Sequence, residues 1–310
     1  MRRAHQGSLG SEAFLLAYPA GHTLSPAMHK AAFDHLGIRA SYRALEVAPS
    51  ALSEAVARFR TSDSFLGANV TVPHKRAVMS LLDEVSVEAM SIGAVNTIVS
   101  KDGRLLGSNT DAVGFARAVE ELSPATGADR GSTADRALTR GAGGSGPARA
   151  LILGAGGSAR AVAWALLRAG TVVGVHARRQ EAAVDLVAEL DAGAAAPGAL
   201  VAVNAADVAT WLSGCELLVN CTTVGMAGGN APQSLASPEP LSLLRREAAV
   251  MDLVYRPPQT PLLREAERLG LGHLNGLSML VWQGAASFET WTGQRAPVEV
   301  MRRAAEAALR

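Results

Sequence analysis

The run Leu151-Ile152-Leu153-Gly154-Ala155-Gly156-Gly157-Ser158-Ala159-Arg160 carries the plainest chemistry in the chain. Gly154, Gly156 and Ala159 satisfy G-x-G-x-x-A directly after an apolar strand pattern and at the start of a helical one. Glycine permits the tight turn and lets the backbone approach a pyrophosphate, while a helix N-terminus supplies N–H groups and positive potential. The bland alternative is a tight glycine-rich turn with no ligand; the strand–turn–helix context favours the dinucleotide site. One strand later, Val175-His176-Ala177-Arg178-Arg179 ends where an NAD site carries a carboxylate for the ribose 2′-hydroxyl. A guanidinium fork suits a 2′-phosphate instead, so the arginine pair predicts NADP over NAD.

A second set of polar residues is scattered along the first third. Thr23 and Ser25 bracket a turn, and Lys75 follows Asn69-Val70-Thr71-Val72-Pro73-His74. Asn96 sits in Gly93-Ala94-Val95-Asn96-Thr97, and Asp111 in Asn109-Thr110-Asp111. Each falls at a strand end or the following loop, where open α/β sheets place ligand residues. Singly, each has a structural reading: Thr110 as a helix cap, Lys75 as a surface lysine, Asn96 as a turn former. Together they bring hydroxyls, an amide, an ammonium and a carboxylate, a set that suits a polyhydroxylated acid. His22, His29 and His74 show no metal-ligand spacing, so no metal is expected. His29 reads as structural, and His74 is expected to line the cleft beside Lys75. Cys215 and Cys221 flank a strand pattern and read as small buried apolar residues, and Trp282 as core.

The elements that must hold these residues alternate. Strands are expected at 13–17, 41–47 and 65–72. A helix opens at Ser25-Pro26 with Ser25 as N-cap, and others run through Leu52, Val56 and Phe59 and from about Lys75 to Leu82. Asp102-Gly103 between Ile98–Ser100 and Leu105–Gly107 signals a hairpin. Residues 123–148 are poor in large aliphatics and read as a flexible surface insertion; the GAGG at 141–144 has no strand before it and is discarded. From 150 a βα rhythm follows, with strands at 150–154, 172–176, 200–203, 216–220 and 249–253 and helices at 158–169 and 260–269. Two further helices, about 278–291 and 298–309, exceed what that sheet needs and are expected to pack back on the first domain.

The whole composition fits. A chain of 310 residues implies about two domains. At 48% hydrophobic and 18% charged it can bury real cores. A net charge of +1 gives no reason to expect nucleic acid or an anionic membrane. No run of 18 apolar residues occurs, and polar residues follow the basic N-terminus where a signal peptide needs its apolar stretch, so a cytoplasmic protein is expected. Two cysteines make neither a disulfide scaffold nor a four-ligand zinc site. A homodimer is left open.

The runs GHTLSPAMH at 21–29, NVTVPHK at 69–75, GAVNT at 93–97, NTDAVGF at 109–115, GAGGSAR at 154–160, NCTTVGM at 220–226 and NGLSMLVWQ at 275–283 together resemble the shikimate dehydrogenase family. They keep family order from about residue 13 onward. The resemblance implies an α/β protein of two domains: a substrate domain at 13–112, completed by 271–310, and a Rossmann-type doubly wound parallel sheet at 113–270 that binds NADP. It implies NADPH-dependent reduction of 3-dehydroshikimate to shikimate, on the route to aromatic amino acids, with a cleft that closes on its ligands. Lys75 and Asp111 match the catalytic pair. Thr23 and Ser25 match the hydroxyls that bind the substrate carboxylate, and Thr71, Asn96, Tyr255 and Gln283 match further substrate contacts. Gly154, Ala155, Gly156, Gly157 and Ser158 match the diphosphate loop. Ala177, Arg178 and Arg179 match the 2′-phosphate cluster, and Leu253, Gly276 and Met279 the positions beside the nicotinamide. The family usually has Ser where this chain has Thr23, and Asp where it has Asn275. Its phosphate cluster usually places a further basic residue where this chain has Ala182. The rival readings are a relative that prefers quinate and a non-catalytic NADP sensor of the same fold.

Overall fold

The computed structural model describes residues 10–21, 23–122, 147–191, 198–227, 237 and 239–310. His22, most of the N-terminal tail and nearly all of the expected insertion, with its GAGG run, lie outside the described residues.

The first sheet is built from β1 (Ser11–Ala17), β2 (Ala40–Glu46), β3 (Phe65–Val70), β4 (Glu84–Val85), β5 (Thr97–Lys101) and β6 (Arg104–Ser108). Its order is β2-β1-β3-β5-β6-β4, with β1 parallel to β2 and β3, and β5 antiparallel to β3 and β6. The helices of this half are α1 (Ser25–His35), α2 (Leu52–Arg60) and α3 (Val87–Ile92); α4 (Asp111–Glu120) leads out of it and packs Phe115, Ala118 and Val119 into one core with Ala150 and Ile152. Side chains alternate across a strand, so Ala13, Leu15 and Ala17 of β1 enter one core while Phe14 and Leu16 enter another. The expected hairpin joins β5 to β6. Asp102 and Gly103 take φ of 52° and 75°, the pair of positive values a two-residue type I′ turn requires.

The second sheet comprises β7 (Arg149–Leu153), β8 (Val172–His176), β9 (Leu200–Ala202), β10 (Leu217–Asn220), β11 (Ala249–Asp252) and β12 (Gly272–Asn275). Its order is β12-β11-β10-β7-β8-β9, and every pairing is parallel. The connecting helices are α5 (Gly157–Arg168), α6 (Gln180–Asp191), α7 (Val208–Ser213) and α8 (Pro261–Arg268). Both faces are covered, as parallel sheets require: Ala150 and Ile152 of β7 face one core, Leu151 and Leu153 the other. The winding reverses between β7 and β10, the position where such sheets open a ligand crevice.

Two helices close the chain, α9 (Leu277–Thr292) and α10 (Val298–Leu309). As expected, they return to the first sheet: Val281, Ala285, Phe288, Trp291, Met301 and Ala305 share a core with Ala13, Leu15, Met28 and Phe33. The protein is thus a two-domain α/β fold. Among the described residues no helix is long and apolar enough to cross a membrane.

Several local expectations need correction. β12 was not read in the sequence; it extends the second sheet past residue 270. The helix expected from Lys75 shrinks to a 3₁₀ turn at Ala77–Leu81. Ser25 is the first residue of α1, not its N-cap; Leu24 holds that position with no side-chain cap. Thr110 precedes α4 but does not cap it either. The Asn109 carboxamide oxygen accepts from the N–H of Asp111 at 2.9 Å, and Thr110 is left to bond elsewhere.

Candidate active site

Lys75 lies in the turn beyond β3 and Asp111 opens α4, and the fold brings the two together. The Lys75 ammonium donates to Asp111 Oδ2, and the pair is buried, at 7% and 3% exposure. A buried ion pair is tolerated only where further hydrogen bonds satisfy it. Asn96, just before β5, supplies one: its Nδ2 lies 2.7 Å from Asp111 Oδ1, 2.9 Å from Thr110 Oγ1 and 3.3 Å from Gln283 Oε1. Asn96 Oδ1 in turn accepts from Thr110 N and Thr97 Oγ1 at 2.7 and 2.9 Å. Its role is therefore more than turn formation, and Lys75 is not a surface lysine.

The hydroxyl pair sits at the start of α1. Thr23 Oγ1 accepts from Ser25 N at 3.2 Å. Tyr255 reaches over from the loop after β11 to the neighbourhood of the Thr23 hydroxyl; burial holds its phenol above the usual range. Ser25 is buried beside Tyr42 of β2, whose hydroxyl donates to Asn69 Oδ1 at 2.9 Å. Thr71, half-buried at the end of β3, is tied by its N–H to Leu16 O at 3.0 Å. Gln283 of α9 completes this side, its Nε2 held by Leu280 O at 2.8 Å. Thr23, Ser25, Thr71, Lys75, Asn96, Asp111, Tyr255 and Gln283 thus come from both chain segments of the first half and one loop of the second.

Apart from the capping expected of Thr110, sequence reasoning assigned no role to the layer beneath them. Asn69, Thr97, Thr110 and Ser287 form a buried polar cluster. Asn69 Nδ2 lies 2.8 Å from Ser287 Oγ, and that hydroxyl lies 2.8 Å from Thr97 Oγ1 and 3.1 Å from Thr110 Oγ1. The signal for it was partial: Asn69, polar inside an apolar strand, reads as a buried hydrogen-bonding group.

On the other side of the cleft, Gly154 takes φ of +106°, open to glycine, and its N–H bonds to His176 O at 2.7 Å. Gly156 precedes α5, which has no side-chain cap. Its first N–H groups are therefore available to an anion. Open space surrounds Gly156 where a Cβ would stand, and at Gly157 such an atom would meet the Lys75 side chain at 3.1 Å. The loop accordingly lies against the Lys75 stem, and Ser158 Oγ accepts from Lys75 Nζ at 3.2 Å. Arg178 and Arg179 are exposed after β8, beside the half-buried Ala177, and make no ion pair among the described residues. Gly276 packs against the backbone of Leu253, and Met279 is buried in the core beneath them. These residues fit a dinucleotide with a 2′-phosphate. Asn275 has a physical role as well: it accepts from Leu277 N at 3.0 Å and donates to Pro258 O at 3.1 Å, and a carboxylate could not make the second bond.

The halves are tied beside the site. Arg160 of α5 is buried, donating to Ile92 O at 2.7 Å and pairing with Glu189 of α6 at 2.5 Å; Arg76 reaches the same Glu189 at 3.0 Å. A second knot holds Glu121, just beyond α4. It accepts from Ser278, Trp282 and Arg302, each at 2.7 Å. Burial works against its charge, yet these donors hold the carboxyl below its usual range. Trp282 is thus a half-buried tether rather than plain core. His74 faces away from the cleft, its Nε2 2.7 Å from Val47 O. Cys215 is buried as expected and Cys221 half-buried, with both thiols pushed up by burial. Asp252, fully buried at the end of β11, is raised by burial to about 6, despite donors from Thr260, Val254 and Asn220. Among the described residues no cluster of three or more His, Cys, Asp or Glu is placed to hold a metal.

Known proteins share this arrangement. Residues 15–98 match the family model of the shikimate dehydrogenase substrate binding domain, and residues 276–306 that of the shikimate 5′-dehydrogenase C-terminal domain. The NADP(+) shikimate dehydrogenase of Symbiobacterium thermophilum is 43% identical over 99% of this chain and 98% of its own. That of Methanopyrus kandleri is 40% identical over 94% and 93%. The crystal structure of shikimate 5-dehydrogenase from Thermus thermophilus in complex with NADP(H) and shikimate superposes with a TM-score of 0.77, at 39% identity, covering 96% of this chain and 100% of that one. Quinate dehydrogenase from Corynebacterium glutamicum in complex with NAD gives 0.79 at 29% identity, covering 96% and 99%. With identity at this level over nearly the whole chain, and the fold shared with these structures, this chain belongs to the shikimate dehydrogenase family.

Proposed function

We propose that this chain catalyses the reversible NADPH-dependent reduction of 3-dehydroshikimate to shikimate. The observation that carries the reading is the buried Lys75–Asp111 pair lying directly against the glycine loop of the second sheet. NADPH, when bound, supplies the hydride. Lys75 then stands where the substrate oxygen needs a proton, and the ammonium donates it as general acid. Asp111 holds that ammonium, while Asn96 keeps the carboxylate from rotating. Thr23 and Ser25 take the substrate carboxylate, and Thr71, Tyr255 and Gln283 line the rest of the pocket. Gly154 to Ser158 cradle the diphosphate at the start of α5. Arg178 and Arg179, exposed and without ion pairs among the described residues, take the 2′-phosphate. Ala177 borders that phosphate, and Leu253, Gly276 and Met279 lie along the nicotinamide.

The test is the initial rate of shikimate oxidation followed by NADPH absorbance, with NAD and quinate in parallel. Lys75→Ala is expected to lower kcat about 10²- to 10⁴-fold, with a far smaller change in shikimate affinity. Turnover equal to wild type in that variant overturns the reading. The methyl of Thr23 narrows the carboxylate pocket; a rate on quinate above that on shikimate would move the function to quinate.

A further inference from the structure

The Lys75 ammonium has a partner that the catalytic reading leaves unused. Besides Asp111, it donates to Ser158 Oγ at 3.2 Å, across the cleft between the two halves. Ser158 is the second residue of α5, in the turn whose N–H groups face the diphosphate position. It is half-buried, and the neighbouring Gly157 backbone sits against the Lys75 stem. A serine hydroxyl accepts and donates at once. Here the acceptor side is taken by Lys75, and the hydroxyl proton has no acceptor among the described residues.

We propose that Ser158 is a positioning residue that links the diphosphate loop to the proton donor, accepting N–H from Lys75 while giving its own O–H to a phosphate oxygen of the bound nucleotide. This rests on the dehydrogenase reading above. The two bonds share one oxygen, so they polarise each other, and a phosphate acceptor strengthens the grip on Lys75. Nucleotide binding thereby orders the ammonium between two anchors, Asp111 on one side and Ser158 on the other. A small side chain without a hydroxyl at this position would still let the backbone bind phosphate, but would leave Lys75 with Asp111 alone.

Three proteins decide it: wild type, Ser158→Ala and Ser158→Thr. The first readout is reductive methylation of Lys75, followed by mass spectrometry, with and without saturating NADP+. Without nucleotide, Lys75 is expected to react about fivefold faster in Ser158→Ala than in wild type, the size expected for one lost hydrogen bond. NADP+ slows labelling in every variant by covering the site, and the extra slowing seen in wild type and in Ser158→Thr is expected to vanish in Ser158→Ala. The second readout is kinetic. Ser158→Ala is expected to lower kcat about tenfold and, through the lost phosphate hydrogen bond, to raise KM for NADP+ about tenfold as well, with Ser158→Thr restoring both. A purely structural role in the loop would raise KM for NADP+ but spare kcat. Equal labelling and equal kcat in wild type and Ser158→Ala overturn the proposal. If wild type itself fails to oxidise shikimate, the dehydrogenase reading falls, and the labelling contrast without nucleotide still decides whether Ser158 holds Lys75.

Discussion

His29 lies at the centre of an aromatic box, and among the described residues neither ring nitrogen has a hydrogen-bond partner. It stacks on Tyr42 with centroids 4.4 Å apart, and Trp291 stands 5.1 Å away. Burial drops its pKa from 6.5 to about 3, so the folded protein holds it neutral. The unfolded chain takes up a proton below 6.5 that the folded protein refuses. Its contribution to stability is therefore complete above pH 6.5 and is lost as pH falls from there towards 3, costing about 2 kcal/mol by pH 5. His29→Phe keeps the stacking and cannot titrate. Denaturant unfolding of that variant should show a drop between pH 7.5 and pH 5 smaller by about that amount; an unchanged drop would show that His29 is not the group responsible. The structural role of His29 was legible from the absence of ligand spacing, but its box was not, because Trp291 comes from the far end of the chain. The same holds for the cluster around Asn96: Lys75, Asn96 and Asp111 stood out as a chemical kit, whereas Ser287 looks like any small residue in an apolar helix until α9 lies against β5.

At the level of elements, close backbone approach decides whether the side of the cleft formed by Leu253 and Gly276 takes shape. A Cβ on Gly276 would lie 2.0 Å from the carbonyl oxygen of Leu253, a contact that no side-chain adjustment relieves. Gly276→Ala must push β12 and the start of α9 away from the loop after β11. The expected result is a loss of about 1–3 kcal/mol in stability, with KM for NADP+ rising more than KM for shikimate. A variant with wild-type melting and wild-type NADP+ affinity would contradict the packing described. Elements with strong patterns were readable: β1, α2 and β7 each carry long apolar runs or clean periodicity. The short ones were not. β12 reads Gly-His-Leu-Asn, with no strong strand former, and only pairing with β11 makes it a strand. The turn after Lys75 has helical spacing, but it tightens to 3₁₀ because His74 is drawn down to Val47 and Asp83 is held by Arg60 and the N–H of Leu105.

For the whole molecule, the relation of the two halves rests on few ties. Glu189 takes both Arg160 and Arg76, and Arg160 also holds the end of α3. Removing the carboxylate leaves a buried guanidinium with one carbonyl. Glu189→Ala should cost about 1–2 kcal/mol, at the low end for a buried pair because Glu189 itself is half-exposed. It should also widen the distribution of cleft openings seen by solution X-ray scattering, while far-UV circular dichroism stays unchanged. Scattering identical to wild type would mean that α4 and α9, with the Glu121 knot, hold the halves alone. This architecture was legible in outline, from a βα rhythm followed by two surplus helices. The ties were not, since Arg160 sits inside the glycine-loop motif and shows no sign there of serving the other half.

The chain order of these pieces bears on how the protein is made. The second sheet is inserted between two parts of the first half, and the core under β1 is filled by Phe288, Trp291, Met301 and Ala305 from α9 and α10. A ribosome releases β1 and α1 first and the helices that cover them last. For most of synthesis the apolar face formed by Ala13, Leu15, Met28 and Phe33 has no partner, while the second sheet has all its strands by residue 275. The nascent chain therefore carries a sticky, half-finished module behind a finished one, the condition under which chaperones are recruited and chains stalled late in synthesis aggregate. Lys75 and Asp111 gain the Gln283 side of their pocket only when α9 docks, so shikimate chemistry begins only after residues 277–309 have emerged.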